Sequence, residues 1–222
     1  MALSDKRILE EMGAGNIVIS PFNQEVNLNT SSYDVRLGQY FYRQQQARGY
    51  RHIYDPWNQE DVIAVWGDVQ QAKLASEELP ASQLDRGGIA ASDRVIVVRP
   101  GETILGHTEE FIGGRNHITT MMKARSSMGR NSIEVCKCAG WGDVGYINRW
   151  TMEITNNSSL YAIPLIVGAR VAQIVFIETG PILGADYSKQ GKYQNTDDLE
   201  ELQRNWSPES MLPRLSRDRG NL

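Results

Sequence analysis

The apolar residues of this chain fall in short runs, each cut off by proline, glycine or asparagine, and that punctuation limits the fold more than any other feature. "NIVISPF" stops at Pro21, and "SSYDVRLGQYFYR" alternates like a strand with a break at Gly38. "DRVIVVRPGETILGHTEEF" reads as two strands about a turn, because Pro100 presets one turn dihedral and Gly101 tolerates the other. "RWTMEITNNSSLYAIPLIVGARVAQIVFIETG" reads as three more, broken at Asn156–Ser159 and at Gly168. Many short strands at such intervals predict a mainly β sandwich or barrel-like fold.

Three segments depart from this pattern. "MALSDKRILEEMG" predicts a short helix capped by Ser4, with Ile8, Leu9 and Met12 on one face and Gly13 ending it. Residues 56–92 are Gln- and Ala-rich, and predict one helix on an excursion from the sheets. From about residue 184 to 222 the chain is a polar segment and tail, with "DDLEELQRNW" helical and "SPESMLPRLSRDRGNL" irregular. A length of 222 residues suits a single domain spanning 1–222. No apolar run approaches the roughly 18 residues of a membrane span, and the charged N-terminus lacks a signal core, so a cytoplasmic protein is expected.

A net charge of −4 predicts no broad face for nucleic acid, so any bound anion needs a local cluster. "KARSSMGRNS" is the one candidate: Lys123, Arg125, Ser126, Ser127 and Arg130 line an anion pocket or merely decorate a surface loop. In "VCKC", a strand would place Cys136 and Cys138 on one side, a poor disulfide geometry, so both are expected reduced. His52, His107 and His117 lack ligand spacing, and no zinc site is expected. Glu153 alternates with Trp150, Met152 and Ile154; composition alone makes it one residue of a solvated outer face. Asp143 reads equally as a turn former, and "DYSKQGKYQ" as an exposed linker.

Six blocks in order change those readings: "LSDKRILEEMGAGNIVISPF", "SSYDVRLG", "RPGETILGHTEEF", "ARSSMGR", "ARVAQIVFIE" and "YSKQGKYQ". Together they resemble the dCTP deaminase branch of the dUTPase superfamily, and leave only the 56–92 excursion and the last twenty-five or so residues unmatched. The resemblance implies a distorted β-sandwich or jelly-roll of the dUTPase-like fold, assembled as a homotrimer with sites at subunit interfaces. It implies deamination of dCTP to dUTP and ammonia without a catalytic metal, the triphosphate carrying Mg²⁺. Zinc deaminases use an H-x-E and P-C-x-x-C signature, which this chain lacks, so a carboxylate must serve as base and proton shuttle.

By that resemblance Glu153 is the base, Ser126 and Arg130 orient the water, and the Ala139 carbonyl helps hold it. A cation beside Glu153 would lower its pKa and burial would raise it. Arg125 and Ser127 are expected on phosphate oxygens, and "YSKQGKYQ", which resembles the family's closing lid, is expected to add Tyr187, Lys192 and Gln194. Asp143 and Tyr146, in "DVGY", resemble the dUTPase motif that meets the 3′-hydroxyl and packs under the sugar. "AGWGD" resembles the bifunctional deaminase–diphosphatases that convert dCTP to dUMP, and this is the alternative, with dUTPase activity alone beside it. Cys138, Asn148 and Thr196 stand where the family usually has Thr, Gly and Gln; these departures motivate a third reading, a silent nucleotide-binding regulator. dTTP is expected as an inhibitor.

Overall fold

The structure, a computed structural model, describes residues 1–45, 53–84 and 88–221; His52 and residues 85–87 of the excursion lie outside the described residues. The Arg7 N–H donates to Ser4 Oγ, which starts α1 (Asp5–Gly13) as its cap. β1 (Ile17–Ser20), α2 (Gln24–Asn27), β2 (Leu28–Asn29), β3 (Ser32–Arg36) and β4 (Tyr40–Arg43) follow. The excursion holds α3 (Gln59–Trp66), β5 (Gln70–Gln71), β6 (Lys73–Leu74) and α4 (Ala75–Glu78). Next come β7 (Arg94–Val98), β8 (Thr103–Gly114), β9 (Ile118–Ala124), α5 (Ser126–Arg130), β10 (Ile133–Glu134) and β11 (Trp141–Gly142). β12 (Ile147–Asn156), β13 (Ile163–Ile166), β14 (Arg170–Glu178), α6 (Tyr187–Gln190) and α7 (Leu199–Asn205) complete the order.

Among the described residues the strands form three antiparallel sheets: β10-β12-β8-β4-β5 with β1 also on β8, β11-β9-β14-β3-β2, and β13-β7-β6. The fold is thus mainly β with short helices, as expected. One hydrophobic cluster joins the sheets, taking Ile112, Trp150, Met152 and Ile154 from the first and Tyr33, Met122, Ile174 and Phe176 from the second. Gly38 explains why "SSYDVRLGQYFYR" breaks. Its N–H donates to the His107 carbonyl at 2.7 Å, and a Cβ there would fall 1.9 Å from His107 Cε1. The chain therefore crosses between sheets at this glycine, with β3 in one and β4 in another.

His107 itself is a packing residue. Its ring is buried between Tyr40 and Trp206, bonds the Thr108 carbonyl through Nδ1, and accepts the Tyr40 N–H at Nε2. Burial pushes its pKa down to about 4, so it is neutral at pH 7.

Two expectations need correction. The excursion does not leave the sheets: β5 pairs with β4 and β6 with β7, so it widens two of them, and α3 packs on the first. "VCKC" is not a strand. Cys136, Lys137 and Cys138 take φ of 66°, 37° and 63°, a left-handed turn that buries Cys136 and exposes Cys138 rather than aligning them. The turn is required because the chain must reverse from β10 to lay β11 against β9, where the Met122 N–H donates to the Gly140 carbonyl at 2.7 Å. In the tail, α7 forms on its Asp198 cap as expected, but the remainder coils into 3-10 turns at Pro208–Met211 and Leu215–Asn221. Among the described residues no helix is long and apolar enough to cross a membrane.

Candidate active site

β12 turns Trp150, Met152 and Ile154 into the core, so Arg149, Thr151 and Glu153 share the opposite face. That face is not open to solvent. It forms one wall of a cavity of about 620 Å³, which Glu153 shares with Ala139, Trp141, Asp143, Tyr146 and Tyr187. Glu153 Oε2 is buried there with no hydrogen-bond partner among the described residues. A carboxylate oxygen left so is costly unless it serves a ligand. Burial raises the pKa of Glu153, and Lys137, also on the cavity wall, lowers it by less. A group held this way is a stronger base than a solvated carboxylate.

The "DVGY" turn builds the neighbouring wall. The Tyr146 N–H donates to the Asp143 carbonyl at 3.0 Å, and Gly145 takes φ of 93°. A Cβ on Gly145 would sit 2.9 Å from Asp186 Cβ, so the glycine lets the segment at Asp186 and Tyr187 approach closely. Tyr146 meets Trp150 and Tyr187 edge-on, with centroids 5.2 and 5.1 Å apart. Burial raises its pKa, keeping the phenol neutral. Asp143 is exposed, and its Oδ1 accepts the Trp141 indole N–H at 3.2 Å.

Other expected site residues lie elsewhere in the chain. Ser126, Ser127 and Arg130 are exposed on α5 and take no part in the Glu153 cavity. The reason is topological: α5 follows β9 in the second sheet, whereas Glu153 belongs to the first. Within one chain Arg130 accordingly does not act on Glu153, and burial decides the direction of its pKa. Arg125 Nε pairs with buried Asp34 at 3.2 Å, and its Nη1 donates to the Arg170 carbonyl. Lys192 is paired with Asp218. Gln194 is buried and fully engaged: it accepts the Ile147 N–H at 2.8 Å, and donates to the Gly145 and Thr196 carbonyls at 2.9 and 2.8 Å. Within this chain it clips its own segment to both sides of Tyr146.

Lys137, Arg149, Tyr193, Trp66 and Met211 also line the cavity, and no sequence motif pointed to them. For Arg149 a signal exists, since it shares the period-two face of Glu153; its guanidinium stacks between Phe111 and Trp206, 5.2 and 4.7 Å from their centroids. Among the described residues, no group of three or more His, Cys, Asp or Glu is placed to hold a metal.

A family model described as dCTP deaminase-like matches residues 2–179. A protein of Methanobrevibacter smithii named "dCTP deaminase, dUMP-forming" is 31% identical over 174 residues, covering 78% of each chain. A protein of Methanosphaera stadtmanae with the same name is 32% identical over 178 residues, covering 78% of this chain and 77% of its own. Among solved structures, the 2′-deoxycytidine 5′-triphosphate deaminase of Agrobacterium tumefaciens superposes with a TM-score of 0.53 at 17% identity. That match covers 79% of this chain and 47% of that one, and supports the fold alone. With the family model spanning most of its length and relatives above 30% identity, the chain belongs to the dCTP deaminase-like family.

Proposed function

We propose that the protein converts dCTP and two waters into dUMP, ammonia and pyrophosphate, as a bifunctional dCTP deaminase and dUTP diphosphatase. The expectation that the reaction stops at dUTP is corrected by the relatives, which carry the name dUMP-forming. The observation that carries the reading is the shared cavity of Glu153 and Asp143, with one Glu153 oxygen buried and without a partner among the described residues.

In the first half-reaction Glu153 takes a proton from water as the oxygen adds to C4 of the cytosine. It delivers that proton to the ring nitrogen, then carries the proton of the new C4 hydroxyl to the amino group as the carbon–nitrogen bond breaks, leaving the C4 carbonyl and ammonia. The Ala139 carbonyl orients the water. In the second, Asp143 meets the 3′-hydroxyl and positions water against the α-phosphorus; the water oxygen bonds to phosphorus and gives its proton to solvent, the α–β bridging phosphorus–oxygen bond breaks, and pyrophosphate leaves. Tyr146 lies under the deoxyribose, and Tyr187 and Lys192 close the lid on the triphosphate. The triphosphate brings its own Mg²⁺, which offsets charge and binds mainly phosphate and water.

Ser126 and Arg130, with Arg125 and Ser127, act in this reading on the cavity of a neighbouring chain. The exposure of Ser126, Ser127 and Arg130 on α5, outside their own chain's cavity, supports a homotrimer with sites between subunits. In this reading dTTP, which shares the deoxyribose and triphosphate of the substrate, acts as inhibitor, and the enzyme works in the cytoplasm.

Separate assays of ammonia and pyrophosphate from dCTP and from dUTP test the reading. Both products from dCTP, with ammonia lost in Glu153→Gln, are expected; ammonia without pyrophosphate overturns the bifunctional assignment.

A further inference from the structure

Three strands side by side set the surroundings of the base. Register places Tyr42 of β4 opposite Leu105 of β8, and Leu105 opposite Glu153 of β12. Opposed residues in such pairs have Cβ atoms about 5 Å apart, so the carboxylate stands at the end of an apolar row. Leu105 is itself buried in a cluster with Tyr42, Val62, Trp66, Met211 and Leu212. Val62 and Trp66 come from α3 in the excursion, and Met211 and Leu212 from the tail, beyond the residues that the family model matches. The two segments without an assigned role thus meet over the strand neighbour of Glu153. Trp66, Leu105, Met211 and Pro213 line the same cavity as the carboxylate.

The tail is held there by contacts of its own. Lys192 pairs with Asp218, its carbonyl accepts both Arg214 and Arg217 at 2.8 Å, and the Arg214 guanidinium lies 5.1 Å from the Tyr193 centroid. Ser216 Oγ donates to Gln59 Oε1 of α3 at 3.3 Å, joining tail to excursion.

We propose that Met211 and Trp66 are positioning residues for Glu153: together they form a built-in apolar roof that keeps bulk water from the carboxylate. The proposal rests on the reading of Glu153 as the deaminating base. The roof acts through burial, which favours the protonated carboxyl and makes the ionised form a stronger base. Its two halves are far apart in sequence, so the base is fully roofed only after the tail has docked.

The test is a ¹³C-carboxyl titration of Glu153 in the nucleotide-free full-length chain, with Glu153→Gln identifying the resonance. Met211→Ala and the near-isosteric Met211→Gln are each expected to lower the Glu153 midpoint by about half a unit or more, while Met211→Leu leaves it in place. Thermal melting shows which variants are folded, and Met211→Gln keeps the side-chain volume should Met211→Ala fail to fold. An unchanged midpoint in a folded Met211→Gln chain overturns the proposal; a simple structural role would lower the melting temperature without moving it. In activity, the acidic limb of ammonia release should move with the midpoint, with KM for dCTP changing less than about twofold. If the unaltered protein releases no ammonia, the functional reading fails, while the titration still decides whether the roof exists.

Discussion

The side chain of Gln194 accepts the backbone N–H of Ile147 at 2.8 Å and returns a bond to the Gly145 carbonyl at 2.9 Å, fastening the lid to both sides of Tyr146. A third bond, to the Thr196 carbonyl, leaves its amide nitrogen fully used. The segment around Gln194 and the turn that carries Tyr146 are therefore one mechanical unit.

Gln194→Ala should loosen that unit. It leaves the buried Ile147 N–H without its acceptor, a cost of about 1–3 kcal/mol. Limited proteolysis should cut the tail faster, and KM for dCTP should rise more than kcat falls. Equal protease resistance in the variant would remove the clip from the account.

Glu153→Gln should separate activity from stability. Ammonia release should fall by about 10²–10⁴-fold, the range for losing a general base. Stability should move the other way. A carboxyl whose folded pKa is raised favours the fold while protonated, and loses that advantage as pH rises from its ordinary 4.5 through the folded value. At pH 7 the neutral Gln should therefore melt higher than Glu, with the difference vanishing in acid.

Asp143→Asn should abolish pyrophosphate release while sparing ammonia release to within about tenfold. Equal loss of both products would make Asp143 a general binding residue instead.

Mixing inactive chains tests the shared site. Glu153→Gln and Arg130→Ala should each be inactive alone. Co-expressed at equal levels they should recover roughly a quarter of the unaltered activity, because some sites then combine an intact Glu153 with a neighbour's intact Arg130. No recovery would place Arg130 and Glu153 in the same chain's site.

His107 should impose an acid limit. Its folded pKa of about 4 lies below the ordinary 6.5, so the fold favours neutral imidazole. That contribution is whole above pH 6.5 and drains away as pH falls towards 4, by about 2 kcal/mol at pH 5. Urea unfolding of the unaltered chain and of His107→Asn at about pH 7 and 5 should show the variant losing less. Parallel losses would assign the acid sensitivity to other groups.

Local chemistry writes part of this protein directly into its sequence. Ser4 caps a helix because its hydroxyl answers an N–H three residues on, and the alternation of Trp150, Met152 and Ile154 puts Glu153 on the other face because side chains in a strand point to opposite sides. Gly38 and Gly101 mark real breaks for equally local reasons. The family resemblance picks out Glu153, Ala139, Asp143, Tyr146 and Tyr187, and these five line one cavity.

What that face meets is decided only in three dimensions. Period two cannot say whether water or a cavity lies beyond Glu153, since the answer depends on Trp66 and Met211, both remote in the chain. Arg130 and Gln194 read alike as polar candidates, yet one is exposed on α5 and the other is a saturated buried clip. Hydrogen-bond partners and burial come from contacts between distant segments, and local periodicity carries no record of them.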